Sequence, residues 1–176
     1  MEHRQPYEGP RLRVLVLDRR LAARRTMAVE YAVISIRDSH DSIPDAVLAE
    51  SPLRRAILRL RFDDIGDIDD ADEAPPGYLL FGESHARQIV RFVDAHLHAI
   101  QGLIVHCEAG ISRSAAVAAV LSRAINGDDA FLDEHFSANP RVRAVLTRQI
   151  TLMAPEGWGC LPDASRHERE DTGPLA

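Results

Sequence analysis

The 176-residue chain is 45% apolar and 27% charged, a balance that suits one globular domain and excludes a disordered or fibrous chain. Its net charge of -6 argues against nucleic acid as a partner, because phosphate backbones call for a basic footprint. All 21 basic residues are arginine, which excludes lysine Schiff bases, Walker-type phosphate lysines and lysine general bases.

Two cysteines, Cys107 and Cys160, do not make a disulfide framework and fit a reducing compartment. The N-terminal residues lack an apolar signal segment, and the longest apolar run, 115–121, is too short to span a bilayer. The expectation is a soluble, cytoplasmic protein with no membrane span.

Residues 1–10 are polar, contain two prolines and read as a flexible leader. The segment 12–17 alternates and is rich in valine and leucine, which predicts a first strand. A second strand is predicted at 32–36, ending at the turn-prone Arg37-Asp38-Ser39. Pro44 to Glu50 reads as a short helix with Pro44 near its first turn. A third strand is predicted at 56–62, with Ile57 or Leu58, Leu60 and Phe62 competing for the core face.

The acidic, proline-containing stretch 63–77 reads as a surface loop. From Ser84, a plausible cap, Ile89, Val90, Phe92, Val93, Leu97 and Ile100 recur at helical spacing up to Gly102, which is expected to end that helix. Leu103-Ile104-Val105 is a short apolar strand of the kind buried on both faces. Residues 115–125 are apolar almost all round and predict a buried helix, broken at Gly127. A further helix is expected at 130–136. A last one starts at Asn139-Pro140, with the stripe Val142, Val145, Leu146, Ile150 and Met153.

This order predicts a single α/β domain over 11–157, built on a mostly parallel sheet of four to five strands flanked by helices, with a polar tail at 158–176. Ligands of such sheets bind beyond the carboxyl ends of the strands. The strand ending at Val105 therefore delivers the loop His106-Cys107-Glu108-Ala109-Gly110-Ile111-Ser112-Arg113-Ser114 to the expected place.

In that loop, successive backbone N–H groups of residues 108–113 turned inward make an anion-binding concavity. The helix starting near Ser114 adds its positive end. Arg113 offers a guanidinium that grips a tetrahedral oxyanion with two parallel hydrogen bonds. Gly110 permits a turn that a residue with a Cβ resists. The same field favours Cys107 as the thiolate nucleophile, and Ser114 is placed to donate to its sulfur. Cys107 as a small buried hydrophobe is the plainer alternative. That alternative leaves the glycine, the hydroxyl pair and the arginine at fixed offsets unexplained.

The pattern His106-Cys107, five residues, Arg113-Ser114 resembles the signature of the protein tyrosine phosphatase superfamily. The wording Cys-Glu-Ala-Gly-Ile-Ser-Arg-Ser is most similar to its dual-specificity branch and small bacterial relatives, and the similarity is strongest over 56–126. The resemblance implies a cysteine-phosphatase-like fold, a phosphocysteine intermediate, no metal or cofactor, and a general-acid aspartate on a loop before the signature. In the family the acid follows an apolar-x-apolar-x-Asp strand. Leu60-Arg61-Phe62-Asp63-Asp64 matches and puts Asp64 in the role, with Asp63 one residue out of register. The spacing of 43 positions from Asp64 to Cys107 is longer than the branch has, which places an insertion in the acidic loop after Ile65.

His106 precedes the nucleophile and should point away from the pocket by strand alternation, as a buried hydrogen-bonding residue that steadies the loop. His96 and His98 face different sides of a helix and make a poor metal pair, and the acids at 67–73 lack the spacing of a calcium loop. Cys160 reads as a tail thiol. A phosphate or sulfate anion in the loop and a phosphorylated protein or peptide substrate follow, with phosphotyrosine ahead of phosphoserine and phosphothreonine. Positions 108–112 contain no cation for a phosphoinositide, and Glu108 is acidic. A non-catalytic phosphate-binding module and rhodanese- or arsenate-type sulfur chemistry use the same kind of loop and stay open as alternatives.

Overall fold

A computed structural model of the chain describes residues 11–40, 42, 44–66, 76–153 and 158. The predicted acidic positions Asp67, Asp69, Asp70, Asp72 and Glu73, and also Cys160, lie outside the described residues. Among the described residues four strands, β1 (Arg13–Leu17), β2 (Tyr31–Arg37), β3 (Arg54–Arg61) and β4 (Gly102–His106), form one sheet in the order β1-β4-β2-β3. Every neighbouring pair is parallel. The helices are α1 (Arg19–Arg24), α2 (Glu83–His96), α3 (Arg113–Asn126), α4 (Ala130–His135) and α5 (Pro140–Met153).

Parallel strands need crossovers, and these cover the two faces unequally. On one face Val14, Ile34, Leu60, Phe62, Leu103 and Val105 meet the buried sides of α2, α3 and α5 in the main core. On the other, Tyr31, Val33 and Ile104 meet Leu15, Leu17, Met27, Leu48, Leu53 and Ile57. The competition along β3 resolves by strand alternation: Leu58, Leu60 and Phe62 take the main core, and Ile57 the smaller one. β2 and β4 are buried along their whole length, which is why they read as continuous apolar runs.

Several expectations need correction. Helix α1 carries no long apolar stripe in the sequence; Asp18 caps it, its Oδ1 accepting from Leu21 N–H at 2.7 Å. The segment 44–50 is irregular rather than helical. Its carbonyls are held by arginine side chains instead of an i→i−4 ladder: Arg19 bonds Pro44, Arg59 bonds Ala46 at 3.3 Å, and Arg54 bonds Ala49. Helix α2 is capped by Gly82, not Ser84, and His85 Nδ1 reaches back to accept the Gly82 N–H at 3.2 Å. That helix ends at His96 and passes into a 3₁₀ turn at Leu97–Ala99, and Gly102 opens β4 instead of terminating the helix.

Gly127, at φ 76°, closes α3 in the left-handed conformation, as its sequence position implies. Asn139 accepts from Val142 N–H at 3.0 Å and caps α5, whose Val142, Leu146 and Ile150 are buried. Trp158 packs into the main core. Among the described residues no helix is long and apolar enough to cross a membrane.

Leu146 is fully buried where α5 meets the main core. Leu146→Ala should therefore lower unfolding free energy by about 2–5 kcal/mol in urea titrations.

Candidate active site

The register aligns the carboxyl ends of the strands. His106 of β4 sits opposite Leu17 of β1 and Ser35 of β2. An acid or the cysteine follows directly or nearly so at each end: Asp18, Asp38, Asp63 and Asp64, and Cys107. The strand ends thus gather polar chemistry on one edge of the sheet, where α/β domains hold ligands.

Residues 107–112 curl between β4 and the first turn of α3. Cys107 is buried, and its Sγ accepts the Gly110 N–H at 3.3 Å and lies 3.1 Å from Ser114 Oγ. The curl depends on Gly110. It has φ 72°, and a Cβ there would lie 2.5 Å from Asp18 N and 2.6 Å from the Leu17 carbonyl carbon. Both the left-handed conformation and the close approach of β1 demand glycine. Glu108, Ala109 and Ile111 are exposed along the rim, and Ser112 is half-buried. Arg19 fixes the near side of the rim, donating its N–H to the Glu108 carbonyl at 3.2 Å.

Arg113 is 4% exposed, so its cation needs partners. Nη1 donates to the Phe62 carbonyl at 2.8 Å and pairs with Asp38 Oδ1 at 2.6 Å. Nε lies 3.9 Å from Asp64 Oδ2, beyond hydrogen-bond reach, and has no other partner among the described residues. A buried guanidinium N–H without a partner beside a cysteine loop fits an oxyanion in that loop.

The two neighbouring aspartates do different things. Asp64 Oδ1 accepts from Ser112 Oγ at 2.7 Å and Asn139 Nδ2 at 2.8 Å, which holds its half-exposed carboxylate at the loop. Asp63 is buried and faces a different set of partners. Its carboxylate accepts from the Ser39 hydroxyl, from Ser39 N–H at 3.0 Å and from Leu79 N–H at 2.7 Å. Burial alone would raise the Asp63 pKa, but the Ser39 hydroxyl and the Leu79 and Ser39 amides, with His40 nearby, bring it below the usual carboxylate range. Asp63 therefore ties the segments after β2 and before α2 to the end of β3.

His106 does point away from Cys107, as β4 alternation requires. It is buried, with the Cys107 backbone as its hydrogen-bonding neighbour. Burial lowers its pKa, the Cys107 backbone works against that, and Arg19 and Arg59 add to the lowering. Among the described residues no three His, Cys, Asp or Glu side chains converge as a metal-binding group. Asp38 and Asn139 are site neighbours that the sequence reading did not single out. The signal for Asp38 was its place just past the end of β2. Asn139 carries only the signal of a helix cap in the sequence, a role it also fills at α5.

The site thus defined is a cysteine and an arginine in one curled loop at the edge of a parallel α/β sheet. No protein-family model matches the chain, and no curated protein matches it. Among solved structures, it is similar to human DUSP28, at 19% identity over 80% of this chain and 94% of that one, with TM-score 0.47. It is also similar to the human tyrosine phosphatase-like serine/threonine/tyrosine-interacting protein, at 20% identity over 70% and 78% of the two chains, with TM-score 0.45. A third similar structure is PTPMT1 in complex with PI(5)P, at 19% identity over 72% and 81%, with TM-score 0.43.

Two outcomes test this geometry. Asp63 has a depressed pKa in the folded state, so its contribution to stability is complete above its unfolded pKa and is lost as pH falls through the folded value. Urea midpoints should hold down to about pH 5 and fall below about pH 4, and Asp63→Ala should flatten that acid limb while costing about 2–3 kcal/mol at pH 7. Gly110→Ala should displace the loop, weakening binding of inorganic phosphate at least about tenfold in titration calorimetry, because both φ and space forbid a Cβ.

Proposed function

We propose that this chain is a cysteine-dependent phosphomonoester hydrolase that acts on phosphotyrosine in proteins, with phosphoserine and phosphothreonine as secondary substrates. The observation that carries this reading is the convergence of Cys107, Arg113 and Asp64 on one loop. Ser112 bonds Asp64, and Ser114 approaches the sulfur.

In the first step the Cys107 thiolate attacks phosphorus, an S–P bond forms and the P–O bond to the leaving group breaks. The loop amides of residues 108–113 and the Arg113 guanidinium hold the equatorial oxygens, where charge is spread in the transition state. Protonated Asp64 gives its proton to the departing oxygen. In the second step water attacks phosphorus, Asp64 takes the proton, and the S–P bond breaks to release phosphate and the thiolate. Ser114 Oγ stands where it can donate to the leaving sulfur. No metal enters either step. Glu108 at the rim and the lack of a cation at 108–112 favour a singly phosphorylated group in the loop over a polyphosphorylated inositol ring.

Wild-type protein should hydrolyse p-nitrophenyl phosphate at a rate unchanged by EDTA. Cys107→Ser should lose at least about 10⁴-fold in turnover while still binding a phosphotyrosine peptide. Asp64→Asn should lower kcat by about 10²- to 10³-fold on phosphotyrosine peptides, and less on p-nitrophenyl phosphate, whose leaving group needs a proton less. Persistence of turnover in Cys107→Ser would overturn the reading. An inert wild type that binds the phosphopeptide as tightly as Cys107→Ser does would make the chain a binding module.

A further inference from the structure

Helix α1 concentrates positive charge beside the loop. It carries Arg19, Arg20 and Arg24, is followed by Arg25, and has no acidic residue in its first turn. Arg20 and Arg24 are exposed, one helical turn apart, and neither makes an ion pair with a described residue. With Arg19 and Ala23 they line one wall of a groove of about 360 Å³, and the irregular segment 44–47 forms the other. Asp45 on that second wall does not cancel the arginines. It is already paired with Arg37 at 2.8 Å and Arg59 at 3.7 Å. Val47, 86% exposed, supplies an apolar edge.

The groove is joined to the Cys107 loop through one residue. Arg19 hydrogen-bonds the Glu108 carbonyl, its Nη1 lies 3.6 Å from Glu108 Oε2, and the same guanidinium bonds the Pro44 carbonyl across the groove. We propose that this groove is a second anion subsite, which takes carboxylate side chains flanking the phosphorylated residue of a polypeptide substrate. The occupancy of the loop itself rests on the phosphatase reading above; the charge of the groove does not. Arginine forks match planar carboxylates in geometry as well as charge. A concave groove that interleaves arginines with the small apolar Ala23, Ala46 and Val47 accommodates an extended peptide, whereas a lipid surface calls for a flat or protruding basic face.

The test compares two phosphotyrosine peptides that differ only in flanking residues, aspartate and glutamate in one and alanine in the other, on wild type and on Arg20→Ala/Arg24→Ala. Wild type should favour the acidic peptide in kcat/KM by about fivefold, and less at high salt. The double variant should lose that preference and keep the wild-type rate on p-nitrophenyl phosphate, with an unchanged circular dichroism spectrum. Equal kcat/KM for the two peptides on wild type would overturn the proposal. Stronger binding to phosphatidylserine-containing vesicles than to the acidic peptide would overturn it in favour of a lipid surface. Fluorescence anisotropy with the acidic peptide lacking phosphate separates the two claims. If wild type is inert on p-nitrophenyl phosphate yet binds that peptide through Arg20 and Arg24, the phosphatase reading falls and the groove stands.

Discussion

The architecture of the site depends on one buried cation. Arg113 sits at the first position of α3, is almost wholly removed from water, and is held by the Phe62 carbonyl and the Asp38 carboxylate. A charge in that position is costly unless its donors are met, so the ends of β2 and β3 must converge on the start of α3. Their convergence sets where Asp64 lies. It also fixes the orientation in which the guanidinium faces the curl holding Cys107.

Two polar clusters make that convergence rigid on either side. Asp63 stitches the segments before and after β3 together, through Ser39 and Leu79. Asp64 stitches the loop to the start of α5, through Ser112 and Asn139. Adjacent residues of an extended chain point to opposite sides, so a single Asp-Asp pair serves a structural network and a site network at once. The thinly covered face of the sheet shows a different economy. There, arginine side chains bond the carbonyls of residues 44–49 where a helix would have satisfied them internally.

Much of this was legible in the sequence because it follows from period and local chemistry. The buried strands β2 and β4, the apolar helix α3, its glycine terminus and the loop carrying Cys107 and Arg113 all announce themselves within a few residues. The preference for Asp64 over Asp63 rests on the strand pattern that the resemblance implies, and in the fold the two side chains have different partners. What was hidden depends on contacts between distant segments. Pro44 to Glu50 has helical composition, yet tertiary arginines claim its carbonyls. Helix α1 is too short and too charged to show a stripe. The partnership of Asp38 with Arg113 spans 75 positions and has no local signature.

Gly110 lies against the backbone at Leu17 and Asp18, so the shape of the curl is moulded by the end of β1. This divides the loop into positions with very different freedom to vary. Residues 107, 110, 113 and 114 face protein and are fixed by it, whereas Glu108, Ala109 and Ile111 face outward and are constrained mainly by what they meet there. Descent or engineering that retunes partner preference thus has a small alphabet to work with, three side chains on an unchanging frame. A slip or insertion near the end of β1 would instead reach the sulfur directly, though no residue of the loop itself had been touched.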